Sequence, residues 1–438
     1  MSVPSDLLLS YTLLSGRCED GFVGTEAINA LRLAERELVA EGTDSASVRT
    51  FLSMALLMHE RCVRRGTSHW AAYLDMLPAD LDELDGVLYW SEHERTVAGV
   101  EDPAELPQRG DLDSCLRSFT SLSTEIRSER AELSAMHRKL FTERLCRFAP
   151  AAFPPSVCSY DRFLWAHGIW WSRAMDLPDF GGALVPLADF MNHKVGALSE
   201  WRLCKRAAGS LPNQAGHPRA EAPTVEPKRA RIEHAARTCI IVLGTRVATD
   251  EHVCINYGRK KTAEFALHYG FLPSSHAAAC VRVPLWTAAS AGLVEVSLLM
   301  LNFPPFPPLI RAVEHDSSPD APSAAVLGSD RRVVVLTRLL AWLQCMHAAS
   351  LDREGRCTSA ELCVPRRSLA LAFHQTTQHV LRWHIEHIHK MIVCASQPVP
   401  QSADEEGWYD ELFDCALLGD EAATINFPLS TNEPRQLK

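Results

Sequence analysis

Two short stretches carry residues able to do chemistry. In "LVPLADFMNHKV" (184–195) an apolar run closes on Asn192 and His193. Two such polar side chains at the end of a buried run need partners, since an unpaired buried polar group costs about 1–3 kcal/mol. In "CINYGRKKTAEFALHYGF" (254–271), Tyr257 and Tyr269 each precede a glycine. Gly258 and Gly270 allow tight turns or a close approach of backbone to a ligand. A single Tyr-Gly is ordinary turn chemistry. The information lies in the order: an Asn-His pair, then Asn-Tyr-Gly, a short helix, and Tyr-Gly-Phe.

The elements that must position these residues follow from periodicity. From Ser47 to Arg65, Phe51, Met54, Leu57, Met58 and Cys62 recur at helical spacing. The charged stretch from Ser114 to Phe148, with Leu116, Phe119, Leu122 and Ile126, reads as one or two exposed helices. "SYDRFLWAHGIWWSRAM" (159–175) is a helix with Ser159 or Asp161 as its cap. "ALVPLADF" and "TCIIVLGTRVATDEHVCINYG" are rich in Val, Ile and Cys between turn signals and read as strands. Beyond Phe271 the chain is Pro-rich around "NFPPFPP", a rigid linker by composition. It is then helical to its end. The overall expectation is an α+β first part and an all-α last part.

Between Lys205 and Ala236 Pro, Ala, Gly and charge dominate, too little apolar surface to offset ordering entropy, so a disordered loop is expected there. Its "PKRAR" reads as a solvated basic patch or a nuclear-import signal. On the last helix, His384 and His387 share a face and could bind metal. No carboxylate or thiolate completes a set there. His374, His379, His384, His387 and His389 therefore read as a solvated, partner-facing helix.

At 438 residues, with 47% hydrophobic, the chain can bury a sizeable core. A net charge of -10 argues against general nucleic-acid binding. The 14 cysteines include no C-x-x-C pair, which fits free thiols in a reducing compartment and no structural zinc. No apolar run approaches the ~20 residues of a membrane span. The expectation is a cytoplasmic or nuclear monomer without metal, membrane or nucleic-acid partner.

"LVPLADFMNH", "DEHVCINYG" and "AEFALHYGFLP" resemble the SET-domain signature, in the branch typified by plant Rubisco large-subunit lysine methyltransferase. "SHWAAYLDMLP", "LYWSEHE" and "FLWAHGIWWSRAM" resemble that branch's helical insertion, and the helical tail resembles its substrate-binding domain. The resemblance implies a SET domain over 1–275, with an insertion at about 44–175 and the loop at about 205–236, followed by a helical substrate-binding domain over 276–438. It implies S-adenosylmethionine as cofactor and a protein substrate held by the C-terminal domain. The Asn-His strand would pass beneath a neighbouring segment in a knot-like arrangement.

Carried over residue by residue, Asp189, Phe190, Met191, Asn192 and His193 line the cofactor site. Arg173 in "WSRAM" holds the methionine carboxylate of the cofactor with its planar fork. Tyr269, Gly270 and Phe271 pack on the adenosine end. Tyr257 matches the catalytic tyrosine, orienting nucleophile and methyl rather than acting as a strong base. In the histidine-methylating branch an amide residue stands two positions after the motif arginine. Met175 stands there here, which favours lysine, because a thioether suits an aliphatic stem.

Two features depart from the family pattern. "VPSDLLLS" resembles the stretch that comes directly after the family's Gly-x-Gly segment, so that segment has no counterpart in this sequence. The basic loop after His193 replaces a short hairpin. The reading is a protein-lysine N-methyltransferase. Its alternatives are a protein-histidine N-methyltransferase of the same family and a truncated, non-catalytic protein-binding module.

Overall fold

The computed structural model describes residues 2–4, 7–15, 24–101, 122–177, 181–194, 197, 200–205, 237–242, 249, 251–258, 260–273, 280–286, 293–299 and 329–395. The chain forms two compact units, one of Met1–Arg95 with Thr124–Pro273, the other of Thr96–Ser123 with Ser274–Lys438. The loop at 206–236, "NFPPFPP", Leu116 and Phe119 lie outside the described residues.

In the first unit, helix α1 (Thr25–Ala40) buries Ala27, Ile28, Leu31, Ala34 and Leu38, one stripe at helical spacing. Helix α2 (Ser45–Met58) starts where the Asp44 side chain accepts the Ser47 N–H at 2.8 Å, and it runs on into a π-helical segment, His59–Arg64. Helix α3 (Ser123–His137) also ends in a π-helical segment, Arg138–Leu145. The expected exposure of this stretch is corrected. Leu122, Ile126, Leu133, Leu140, Phe141 and Leu145 are all buried, so its apolar stripe faces the core and only its charged side faces water. Helix α4 (Tyr160–Arg173) is capped by Ser159, whose hydroxyl accepts the Arg162 N–H. Every residue from Phe163 to Trp170 is buried. Phe51 of α2 and Phe163 of α4 meet with ring centroids 6.1 Å apart.

The strands are short. β1 (Ser2–Pro4), β5 (Glu200–Lys205) and β6 (Arg237–Val242) make an antiparallel sheet in the order β1-β6-β5, with Cys239 between Val3 and Leu203. β2 (Met175–Leu177) and β3 (Gly181–Ala183) form an antiparallel pair. β4 (Asn192–His193) runs parallel to β7 (Cys254–Ile255), with Asn192 opposite Cys254 and His193 opposite Ile255. The strand expected over "ALVPLADF" does not run its length. After a bridge between Leu184 and Leu9, Pro186 has no N–H to donate, Leu187 takes φ 72°, and Ala188–Phe190 is a 3-10 turn. That break swings Asp189 and Phe190 out of line with β3. Beneath these strands Leu8, Leu13, Met175, Leu177, Val185 and Ile255 form one apolar cluster, with Met191 and Tyr257 packed against it.

The second unit is not all helical, contrary to the sequence expectation. β8 (Cys280–Trp286) and β9 (Leu293–Leu299) pair antiparallel, as the alternating Val and Leu of "CVRVPLW" and "LVEVSLL" allow. Helices α5 (Ser329–Ser359) and α6 (Val364–Ala395) pack along each other. The histidines of α6 are not uniformly solvated: His374, His384 and His387 are buried, while His379 and His389 are exposed. The Nε2 of His374 lies 2.8 Å from the carbonyl oxygen of Ala98, a core partner rather than a surface one. Among the described residues no helix is long and apolar enough to cross a membrane. The architecture is α+β, with small sheets among many helices.

Candidate functional site

The 3-10 turn at 188–190, the β4–β7 pair and the end of α4 converge on one cavity of about 300 Å³. Arg173, Asp189, Phe190, Asn192, Tyr257, Tyr269 and Phe271 line it, seven of the residues the sequence singles out.

Tyr257 stands two residues beyond β7. Its backbone N–H donates to Nδ1 of His193 at 3.1 Å, and its hydroxyl donates to the carbonyl oxygen of Met191 at 2.8 Å. Burial pushes the phenol above its usual range; Arg173 pulls it down, and Asp189 and Cys254 push it up. At neutral pH it is therefore a neutral phenol with a fixed orientation. Its ring stands 5.1 Å from those of both His193 and Tyr269, within an aromatic group that also holds Phe265 and Phe271. The backbone of β7 and this packing fix the ring before any ligand arrives.

Asp189 is 6% exposed. The Tyr73 hydroxyl donates to its Oδ2, while its Oδ1 is buried without a hydrogen-bond partner. Burial raises the carboxyl to about 6, against the lowering effects of the Tyr73 hydrogen bond and of the Arg173 charge. The Arg173 guanidinium lies 5.2 Å from the centroid of the Phe190 ring, a cation–π arrangement.

Asn192 departs from its sequence reading. It is exposed rather than buried, because β4 is only two residues long and Asn192 points into the open cavity. His193, Met191 and Gly270 do not line the cavity. His193 supports the Tyr257 backbone, Met191 supplies the carbonyl for its hydroxyl, and Gly270 caps a π-helical turn, Phe265–Tyr269, with φ 75°. Met175 is 3% exposed, sits in the apolar cluster below the site and does not line the cavity. It therefore says nothing about which acceptor residue is used.

Several lining residues were not evident from the sequence: Glu83, Asp85 and Gly86 from the segment before Tyr89 and Trp90, Ser172 beside Arg173, and His268. The one available signal was Gly86, a backbone position pressed against the carbonyl of Leu267.

No family model matches the sequence, and no curated protein matches it. The structure does resemble solved ones. A crystal structure of the SET domain of LSMT bound to lysine and AdoHcy superposes with a TM-score of 0.56 at 18% identity, covering 94% of this chain and 88% of that one. Rubisco LSMT bound to AdoMet superposes at 0.52 and 16% identity, and Rubisco LSMT bound to sinefungin and monomethyllysine at 0.53 and 16%, with the same coverage. At this identity the likeness establishes the fold, that of the SET-domain structures.

Proposed function

We infer that the chain is an S-adenosylmethionine-dependent protein-lysine N-methyltransferase. The observation that carries this reading is the convergence of Tyr257, Arg173, Asn192 and the half-satisfied Asp189 on one cavity of a SET-type fold. In this reading β4 and β7 are the two segments of the knot-like crossing, and the second unit engages the substrate protein.

The residues fit the cofactor. Asp189 Oδ1 is a buried acceptor lacking a donor, and S-adenosylmethionine brings an ammonium, ribose hydroxyls and an adenine amino group. Arg173 supplies a fork of donors for a carboxylate. Asn192 offers both donor and acceptor at the cavity wall. Bound S-adenosylmethionine supplies a sulfonium methyl to a neutral amine. Tyr257, held by Met191 and kept neutral by burial, presents its oxygen to the cavity and orients what lies beside it. The rings of Phe190, Tyr257, Tyr269 and Phe271 give the cavity apolar surface, and desolvation against it favours the neutral form of an incoming lysine. Glu83 and Asp85 give the cavity a negative side that attracts a cationic side chain.

The test is mass spectrometry of a peptide library incubated with the full chain and isotopically labelled S-adenosylmethionine, alongside calorimetry of cofactor binding. Methyl label on lysine Nε is the expected result. Label only on histidine overturns the choice of acceptor. Absence of both cofactor binding and transfer overturns the enzyme reading in favour of a protein-binding module.

A further inference from the structure

Behind the cavity wall a second group of side chains meets. Glu129 comes from α3, His167 from α4 and His268 from the π-helical turn Phe265–Tyr269. Nε2 of His167 lies 3.7 Å from one Glu129 oxygen, and Nε2 of His268 lies 3.6 Å from the other. One ligand atom from each residue lies within 4.8 Å of the others. The His167 side chain is 3% exposed, that of His268 12% and that of Glu129 26%.

The nitrogen–oxygen spacings exceed the ordinary hydrogen-bond range of about 2.7–3.2 Å. The hydroxyl of Tyr89 lies 3.0 Å from Nδ1 of His167. With the imidazole proton on Nδ1 and donated to the Tyr89 oxygen, Nε2 turns a lone pair toward Glu129. In that tautomer the two Glu129 oxygens and Nε2 of both imidazoles turn toward one another across a small, largely buried gap, as donor atoms gathered around one ion would. Glu125 and Glu132 add negative charge close to Glu129, and Lys260 opposes it near His268.

We propose that Glu129, His167 and His268 form a binding site for a divalent transition ion of the zinc class. Two imidazoles and one carboxylate are a donor set for zinc rather than for calcium or magnesium, which require oxygen shells. Bonds of about 2.0–2.2 Å in tetrahedral geometry put ligand atoms roughly 3.3–3.5 Å apart. The two spacings to Glu129 need only a small contraction, and the remaining one closes by turning an imidazole about its soft terminal torsion. Tyr89 plays the part of the outer hydrogen bond that fixes a ligating histidine's tautomer and ring plane. Because His268 lines the cavity and precedes Tyr269, the ion would tie α3 and α4 to the turn that carries Tyr269 and Phe271. Such an ion site does not depend on the methyl-transfer reading.

The test uses the full chain, stripped with a chelator and titrated with Zn²⁺ by calorimetry, with Co²⁺ as an optical probe. The expected result is one ion per chain, and cobalt bands of nitrogen and oxygen ligation without a thiolate charge-transfer band. Glu129→Gln and His268→Asn each weaken binding about 100-fold or more, while Tyr89→Phe weakens it roughly tenfold. Circular dichroism of the metal-free variants confirms that they fold. If neither ligand variant folds, the wild-type cobalt spectrum decides alone. No stoichiometric uptake by the wild type, undiminished uptake in both ligand variants, or cobalt bands dominated by thiolate would each overturn the proposal.

Discussion

The hydroxyl of Tyr257 donates to the carbonyl oxygen of Met191 at 2.8 Å, so the end of the 3-10 turn before β4 and the segment just after β7 are locked together beside the cavity. The contact orients the phenol from the protein side and leaves its oxygen lone pairs available to a ligand.

Tyr257→Phe removes that oxygen while keeping the ring and its aromatic neighbours. Methyl transfer should fall by about 10²-fold or more, the usual loss for a polar group aimed at a reacting centre. Cofactor affinity should stay near that of the wild type, and stability should fall by only about 0.5–1.5 kcal/mol for one hydrogen bond. Single-turnover transfer and calorimetry on the same preparations measure both. Undiminished turnover in the variant would remove Tyr257 from the chemistry.

Asp189 gives the site a pH dependence of two opposite signs. Its carboxyl titrates at about 6 in the folded chain, above the ~3.9 of an unfolded aspartate. The folded state therefore holds the proton more tightly. This group lowers stability as pH rises from the unfolded value through about 6, and the penalty is then constant. Its binding role runs the other way, because only the carboxylate accepts donors at both oxygens. Cofactor affinity should rise as pH passes upward through about 6 while the metal-free, cofactor-free melting temperature loses ground. Asp189→Asn should flatten both components. A variant whose affinity keeps the wild-type pH profile would show that Asp189 does not face the cofactor.

Asn192 is exposed and its strand contacts are made by backbone, so Asn192→Ala should fold and melt like the wild type. Its effect belongs to binding alone. The loss of one partly solvated hydrogen bond predicts a cofactor affinity weaker by about 0.5–1.5 kcal/mol. Isothermal titration against a melting curve separates the two. A lowered melting temperature with unchanged affinity would make Asn192 a structural residue.

Much of this site could be read from the sequence where a motif is contiguous. Arg173, Asp189, Phe190, Asn192 and the Tyr257 and Tyr269 pair all reach the cavity, and the Ser159 cap of α4 is where the hydroxyl residue predicts it. What the sequence concealed is of two kinds. Glu83, Asp85, Tyr73 and the Glu129–His167–His268 trio come from segments far apart in the chain, and each residue type is common, so no local spacing marks them. Asn192 and Met175 were misplaced for another reason. Polarity pattern tells which residues suit a strand, but not that β4 lasts two residues, or that Met175 of β2 turns into the apolar cluster. The short β4 follows a bend at Pro186 and Leu187, the latter with positive φ. The hairpin β8–β9 was readable from its alternation and was obscured by the prolines just beyond it.

Gly258 and Gly270 both have positive φ, 90° and 75°, yet their substitutions should differ. At Gly258 an added Cβ meets nothing within 4 Å. At Gly270 it would stand 2.2 Å from Cβ and 2.6 Å from the carbonyl carbon of Asp85, a backbone that cannot withdraw without carrying the cavity-lining segment with it. Gly258→Ala should therefore cost only the backbone strain of about 1–2 kcal/mol. Gly270→Ala should cost that strain plus a steric shift of roughly 1–3 kcal/mol, the usual scale of overpacking. Tyr269 and Phe271 flank Gly270 and line the cavity, so the second variant should also lose cofactor affinity, whereas the first should retain it. Paired melting curves and calorimetry measure the contrast. Equal destabilisation in the two variants would mean that the Asp85 contact relaxes freely, and that the turn at Gly270 does not set the cavity wall.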